Sequence, residues 1–385
     1  YIVDSDELQD TENQMEFVPG SMKGSKQEET SENEEQGQTE QSRQTVAEEN
    51  DAEQAKTAGN LEVHFIDVGQ GDATLIKCDG HSMLIDAGNN DKGTLVQNYL
   101  QHQGVETLDY VIGTHPDADH IGGMDVVLYK FDCKTIIMPD VANNTRTYDD
   151  VVQTMKNKGY KTTYPVVGET YTIGGAAFTI IAPNKEYGND MNSWSVGVLL
   201  QNGNHRFLFT GDAEEGAEQD ILQNGIDISA DVYKVAHHGS NTATSQAFLD
   251  AVHPTYAVIS AGEGNSYGHP HAEVLNRLRA AGVSVFRTDE QGTIVAASDG
   301  TTLTWNMSPS ESWQAGEAKK SQNTDKSEKS TDSQNNAETD AAVSNPTDQT
   351  DGNSDVIVHI TKTGEKYHSA GCQYLRQSDI EVTLS

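Results

Sequence analysis

The sequence predicts an α/β fold of four layers, two sheets face to face with helices on both outer surfaces, spanning residues 59–307 between disordered flanks. Three observations predict it. Apolar residues concentrate in the middle of the 385-residue chain. Short apolar runs alternate there with stretches of helical spacing. The polar residues able to carry chemistry recur where apolar runs end, as sites do in open sheets.

The flanks follow from composition. Residues 1–60 carry 16 acidic and 4 basic side chains and few branched or aromatic ones. Residues 1–58 therefore read as a disordered acidic segment, because so little apolar burial cannot offset the entropy of ordering. Residues 308–354, rich in Ser, Asn, Gln, Thr, Asp and Lys, read as a disordered polar linker. Residues 308–385 hold 13 acidic and 7 basic side chains, so 17 of the 35 net negative charges fall on the middle domain. Such a surface repels phosphate backbones and anionic membranes, so a phosphate substrate would need a local positive site, which bound metal ions supply. Cys78, Cys133 and Cys372 are too few for a disulfide scaffold and leave the redox compartment open. No apolar run is long enough to span a membrane. Long polar tethers around one domain favour an extracellular or cell-surface location. Oligomeric state is not legible.

Leu61–Val68 alternates as a strand, Gly69-Gln70-Gly71-Asp72 turns, and Ala73–Lys77 and His81–Ile85 continue a meander that ends at Asp86-Ala87-Gly88. Gly93–Gly104 has helical spacing (Leu95, Tyr99, Leu100) and a glycine stop. Leu108–Thr114 is a buried strand delivering His115, and Ile121–Tyr129 a helix. Beyond it, Thr135–Met138, Ala177–Ile181, Val196–Gln201 and Arg206–Thr210 read as strands and Glu214–Asn224 as a helix. Asp231–Ala236 is a strand delivering His237 and His238. Helices at Ser245–Ala251 and His271–Ala281 alternate with strands at Tyr256–Ser260 and Val283–Arg287, and a hairpin of Thr293–Ala297 and Thr301–Trp305 closes the domain.

The densest chemistry is His115-Pro116-Asp117-Ala118-Asp119-His120, directly after a buried strand. Imidazoles and carboxylates are the ligands divalent metals prefer, and a tight loop aims alternate side chains at two neighbouring positions. His115 and Asp117 would face one ion, Asp119 and His120 the other. A solvated polar turn is the plain alternative, but two His and two Asp are rarely packed so closely without a task.

Thr114–Gly123 resembles the HxHxDH signature of the metallo-β-lactamase superfamily, with Asp117 in place of the second His. His64–Ile76 (HFIDVGQGDATLI), Leu84–Gly88 (LIDAG), Phe209–Ala213 (FTGDA), Val235–Ser240 (VAHHGS) and Tyr267–His271 (YGHPH) resemble the extracytoplasmic hydrolase domain of ComEC-type competence proteins. The HxDxDH variant also looks like that of phosphorylcholine esterases, which cleave a phosphodiester on teichoic acid. The resemblance covers residues 61–307.

It implies two divalent ions, Zn²⁺ or Mn²⁺, held by His115, Asp117, Asp119, His120, Asp212 and His238, with Asp212 between them and Asp86 as an outer buttress. The plain alternative for Asp212 is an N-cap of the helix from Glu214. Of the histidine pair, likeness to the esterases favours His238 as ligand and His237 as substrate contact or acid, with the reverse order open. A further His ligand usual in the family is missing. Between residues 121 and 211 only His205 occurs, beside a turn and read as a surface residue, and Asn189–Ser195 stands at the expected point. The first ion is therefore expected to be weakly held or exchangeable, and a harder ion such as Mn²⁺ is favoured. His269 and His271, flanking Pro270 before a helix, read either as an anion-binding, proton-donating corner or as a plain capping segment. Ser240 is a further substrate contact.

Residues 355–385 open with a strand at Val356–Ile360 and continue through Tyr367-His368 and Cys372-Gln373-Tyr374-Leu375. They resemble the first half of small Ada-like metal-binding modules, without the closing Cys pair, and are expected to be unfolded or loosely attached. Half a ligand set cannot close a tetrahedral site.

These readings imply hydrolysis by a hydroxide held between two metal ions, with Asp119 at the catalytic centre and His237 or His271 protonating the leaving group. The substrate expected is a phosphodiester, DNA or a phosphorylated wall polymer. An acyl hydrolase of lactonase, β-lactamase-like or thioesterase type is the rival, weakened by the missing His. A non-catalytic metal-binding module is the other rival, weakened by the near-complete ligand set. The lack of an aromatic and basic stripe weighs against single-stranded DNA.

Overall fold

The computed structural model describes residues 58–316 and three strands between Val356 and Leu384. Strands β1 (Leu61–Phe65), β2 (Thr74–Cys78) and β3 (His81–Ile85) form an antiparallel meander. Strands β4 (Thr107–Ile112), β5 (Asp132–Ile137) and β6 (Thr162–Thr163) then add in parallel. The second sheet repeats the plan. Strands β7 (Thr170–Ile173), β8 (Ala176–Ala182), β9 (Gly197–Asn202) and β10 (His205–Phe209) are antiparallel, and β11 (Val232–Lys234), β12 (Tyr256–Ile259) and β13 (Ser284–Arg287) follow in parallel. Strands β14 (Ile294–Ser298) and β15 (Leu303–Trp305) return to the free edge of the first sheet beside β1.

Parallel pairing needs a crossover at each step, and helices supply it. In the first half these are α1 (Gly93–His102), the short α2 (Ala118–Ile121), α3 (Met124–Lys130) and α4 (Arg146–Lys158). In the second they are α5 (Glu215–Gln223), α6 (Gln246–Val252) and α7 (Ala272–Ala280), followed by one turn, α8 (Thr288–Gln291).

The strands' alternation sorts side chains into three cores. Val63, Phe65, Ile76, Ile112, Phe178, Phe207, Phe209, Val258 and Phe286 fill the space between the sheets. Their strand neighbours Leu75, Leu84, Leu108, Val111 and Ile136 face outward under α1, α3 and α4. Leu208, Ala257, Ile259 and Val285 face α6 and α7. This is the expected four-layer sandwich. Each fully buried large apolar side chain contributes roughly 1.5–3 kcal/mol.

Three expectations are corrected. The single helix expected at Ile121–Tyr129 is two, because the chain turns at Gly122-Gly123 between α2 and α3. Helix α4 and strands β6 and β7 went unpredicted. Helix α4 buries only Thr147, Val151 and Met155, a sparse stripe on a polar helix, although Thr145 caps it by accepting from the Tyr148 amide and Gly159 stops it. The domain also runs past the expected boundary at 307. Trp313 packs on the outer core beside the Arg279 guanidinium, the Arg287 guanidinium donates to the Gln314 carbonyl, and the Gly316 amide donates to the Pro270 carbonyl. A polar composition hid one anchoring aromatic.

The acidic segment expected at 1–58 lies outside the described residues except for Ala58, as does the linker beyond 316. Residues 323–385 form a separate unit, in which Val356–Ile360 pairs antiparallel with Tyr367–His368 and Ile380–Leu384. Cys372 lies outside the described residues. Among the described residues no helix is long and apolar enough to cross a membrane.

Candidate metal centre

Strand ends position the candidate ligands, either directly or through the short helix α2, which carries Asp119 and His120. Strand β3 delivers Asp86, β4 delivers His115, β10 delivers Asp212, and β11 delivers His237 and His238. Parallel strands point these ends the same way, so residues far apart in sequence meet in one crevice between the sheets.

His120 is fully buried between two carboxylates. Its Nδ1 lies 2.8 Å from Asp86 Oδ2 and its Nε2 lies 3.2 Å from Asp212 Oδ1. Asp86 also accepts from the Thr114 amide at 2.9 Å and the Thr114 hydroxyl at 2.7 Å. It holds His120 from behind. His238 Nδ1 donates to the Ser260 carbonyl at 3.0 Å, leaving Nε2 3.3 Å from Asp119 Oδ2 and 3.4 Å from Asp212 Oδ2. His115, also buried, turns Nδ1 to the Thr114 hydroxyl at 3.2 Å and Nε2 toward Asp117 Oδ2 at 3.7 Å.

The buried Nε2 atoms of His115, His120 and His238 make no well-formed hydrogen bond, meeting only carboxylate oxygens at 3.2 to 3.7 Å. Buried polar atoms are seldom left so, and each costs about 1–3 kcal/mol. Three imidazoles with Nδ1 engaged and Nε2 without a well-formed bond, converging on carboxylates, are a donor set that fits divalent cations. Electrostatics agree. Burial works against charge on all these groups, yet the Asp212 and Asp86 carboxylates hold the His120 pKa well above its usual value. Asp212 and Asp72 do the same for His238, and both imidazoles in turn hold Asp212 well below the usual carboxylate range. Burial pushes His115 down to about 3, keeping it neutral. Asp119 is held down to about 2, chiefly by His238 against the cost of burial.

His237 and His238 both adopt left-handed backbone, with φ of 50° and 53°. Such strain in non-glycine residues persists where the surroundings enforce it. Here the His237 amide donates to the Gly211 carbonyl, and the Ser240 amide donates back to the His237 carbonyl. Gly239 follows at φ 82°, where any Cβ would press on Pro270. The twist separates the two rings. His238 goes inward, while His237 stays partly exposed, its Nε2 3.7 Å from Asp212 Oδ2 and its Nδ1 3.1 Å from the Thr242 hydroxyl and 3.4 Å from Glu214 Oε1.

These groups open onto a cavity of about 150 Å³ whose wall includes Asp117, Asp119, Asp212, His237, His238 and His269. Gln70, Asn192 and Tyr267 complete it. A larger groove of about 520 Å³ lies around Lys77, Asp79 and Asp299, but it gathers no buried unpartnered side chain. The smaller cavity does gather such side chains, Gln70, Asp212, His238 and His269.

Of the remaining expected contacts, His269 is in the wall, its ring stacked under the exposed ring of Tyr267 at 5.5 Å and its pKa pushed down to about 4 by burial and by neighbouring His238. Ser240 and His271 are not in the wall. The Ser240 hydroxyl bonds to that of Thr242, and His271 Nδ1 accepts from the Asn241 amide. His205 begins β10 and bonds to the Ser298 hydroxyl, half-buried rather than free in a turn. Asp212 does not cap α5, whose N-cap is Glu214. Gln70, Asp72, Glu214, Lys234 and Tyr267 went unassigned from sequence. Only Gln70, Asp72 and Tyr267 had a signal, lying inside motif blocks already noted.

A helix-flanked double sheet with histidine and aspartate side chains gathered at its strand ends defines a class of metal-dependent hydrolases. Residues 66–263 match the Metallo-beta-lactamase superfamily, and the chain belongs to it. It is 31% identical over 255 residues to ComE operon protein 3 of Bacillus subtilis, covering 60% of this chain and 32% of that protein. It is 33% identical over 238 residues to Recombination protein 2 of Haemophilus influenzae, covering 60% and 28%. The chain thus spans about a third of the length of these curated relatives. A solved metallo-beta-lactamase fold protein, YhfI of Bacillus subtilis, superposes with a TM-score of 0.44 at 13% identity, covering 62% of this chain and all of that one.

Proposed function

We propose that this domain is a metal-dependent phosphodiesterase acting on DNA or a phosphorylated polymer. The observation that carries the reading is the set of buried Nε2 atoms of His115, His120 and His238 that face Asp117, Asp119 and Asp212 beside a polar cavity. Asp119, His120, Asp212 and His238 would hold one ion, and His115, Asp117 and Asp212 the other. Divalent ions in such a site supply Lewis acidity and an activated water at neutral pH.

The protein's own groups do the rest. Asp119 and Asp212 bring negative charge to a site whose imidazoles are neutral once Nε2 carries no proton. His237, with Nδ1 directed to Thr242 and Glu214, turns Nε2 to the cavity and is the proton donor to the leaving group. His269, kept neutral by burial, contributes hydrogen bonding instead. His271 is withdrawn from the acid role because its ring lies outside the wall.

Two observations favour a phosphodiester over an acyl substrate. The segment where the family usually places a third imidazole puts the Ser195 hydroxyl 3.4 Å from His115. One relative bears a name of recombination and another, from Neisseria gonorrhoeae, a name of competence, which suit action on DNA. The test is hydrolysis of plasmid DNA, bis-p-nitrophenyl phosphate and nitrocefin by the full chain, with Mn²⁺, Zn²⁺ or EDTA and an Asp119→Ala control. Phosphodiester cleavage that needs metal and is lost in the variant supports the reading. Nitrocefin hydrolysis alone moves the assignment to an acyl hydrolase.

A further inference from the structure

Behind His238, on the side away from the cavity, lies an ion pair that the scheme above does not use. Lys234 Nζ donates to Asp72 Oδ2 at 2.9 Å and to the Val235 carbonyl at 3.2 Å. Both side chains are buried, 3% and 6% exposed. A buried Lys–Asp pair loses several kcal/mol per ion in desolvation, so an apolar pair of similar shape would commonly be as stable. Its position suggests what it is for.

Asp72 closes the Gly69-Gln70-Gly71-Asp72 turn of the first sheet, whereas Lys234 ends β11 of the second. Asp72 Oδ1 has no hydrogen bond of its own and lies 3.4 Å from His238 Nδ1. The Asp72 amide donates to the Asp119 carbonyl at 3.1 Å. Gly71 makes that approach possible, since a Cβ there would collide with the same carbonyl oxygen. Asp72 therefore touches the two ligand-bearing loops of opposite halves, one by backbone and one by side chain.

One ligand atom each from Asp72, His120, Asp212 and His238 lies within 4.8 Å of the others, which by distance alone makes Asp72 a fourth ligand. The ring edge it faces argues otherwise. An imidazole offers one nitrogen to a cation, and His238 turns Nε2, not Nδ1, toward Asp119 and Asp212. With one Asp72 oxygen committed to Lys234, the other meets the Nδ1–H edge. We infer that Asp72 and Lys234 are positioning residues that, beside the Ser260 carbonyl accepting from Nδ1, hold the orientation of His238 and lock the two halves of the centre in register. Carboxylates behind ligating histidines raise their donor strength and set the ring's direction. Lys234 keeps the Asp72 carboxylate from swinging toward the ligands it supports.

The inference rests on the metal reading of the site, and its test separates the two. Mn²⁺ is titrated calorimetrically into the metal-free full chain and its Asp72→Asn, Lys234→Met and Asp72→Asn/Lys234→Met variants, with Tm of each metal-free protein. Asp72→Asn is expected to weaken the tighter Mn²⁺ event about 10–100-fold. Lys234→Met, which strands a buried carboxylate, should lower the metal-free Tm most. The double variant removes both charges and should recover that Tm without recovering affinity, a result a purely structural pair would not give. Wild-type affinity in a folded Asp72→Asn or double variant overturns the inference while leaving the metal reading intact. No Mn²⁺ uptake by the wild type overturns both.

Discussion

Asp86 supports His120 as Asp72 supports His238, and replacing it tests the first carboxylate–imidazole pair. Asp86 accepts three hydrogen bonds, from the Thr114 amide, the Thr114 hydroxyl and His120 Nδ1, all buried. Asp86→Ala takes the carboxylate from the Thr114 amide and from His120 Nδ1, which keeps only the Thr114 hydroxyl at 3.3 Å. At about 1–3 kcal/mol for each stranded group, the metal-free domain should lose about 2–6 kcal/mol. For a domain of this size that lowers Tm by roughly 2–4 °C per kcal/mol.

Asp86→Asn acts differently. Its carbonyl oxygen still accepts from Thr114, so the stability loss should be about 1–2 kcal/mol. Its amide, however, donates toward His120 Nδ1, which makes that nitrogen the acceptor and moves the ring proton to Nε2. A cation must then displace that proton with no carboxylate behind the ring, at a cost of about 10–100-fold in affinity. The assay is calorimetric Mn²⁺ titration beside thermal melts for both variants. Separated Tm values with a shared loss of affinity are expected. An Asp86→Asn protein that folds and binds Mn²⁺ as tightly as wild type refutes the argument.

The centre's electrostatics fix a pH dependence. The His120 and His238 folded pKa values are raised above 6.5, so their contribution to metal-free stability is full below that value and fades as pH rises through the folded pKa. Those of Asp119 and Asp212 are depressed below 3.8, so their contribution is present above that value and fades as pH falls through the folded pKa. Metal needs the imidazoles deprotonated, so the Tm increase given by saturating Mn²⁺ should be larger at about pH 8 than at about pH 6, and the reverse order defeats this account. His237→Gln should lower kcat about 10²–10⁴-fold while metal content by elemental analysis stays at the wild-type level, whereas lost metal would make His237 a ligand. Tyr267→Ala should raise KM for a single-stranded oligonucleotide by the equivalent of about 1–3 kcal/mol, with Tyr267→Phe near wild type, because the exposed ring over His269 offers a stacking face. An unchanged KM removes Tyr267 from substrate binding.

Local rules made much of this legible. Period-two runs announced most strands because their two faces go to different cores: Phe207 and Phe209 inward, Leu208 outward. The 115–120 loop stood out because its ligand types are dense in sequence. Helix α4 escaped because three buried residues in thirteen do not make a convincing stripe. Asp72 and Lys234 escaped for another reason. They are separated by 162 positions, and their relation exists only once the two sheets pack. Lys234 alone looks like a surface charge, and the motif block that holds Asp72 does not point to Lys234.

The same packing makes the centre asymmetric. His120 and His238 each have a carboxylate behind Nδ1, Asp86 for one and Asp72 for the other. His115 has only hydroxyls there, Thr114 at 3.2 Å and Ser195 at 3.4 Å. A hydroxyl neither raises an imidazole's basicity as a carboxylate does nor fixes its tautomer, because it can donate as well as accept. Asp117, the other candidate ligand on that side, is 40% exposed against 4% for Asp212. Donor strength and enclosure therefore both fall from the His120–His238 side to the His115 side. The proposed pair of ions should bind in two distinguishable events, the weaker at His115, and a substrate oxygen has most to offer as an added ligand at that weaker position.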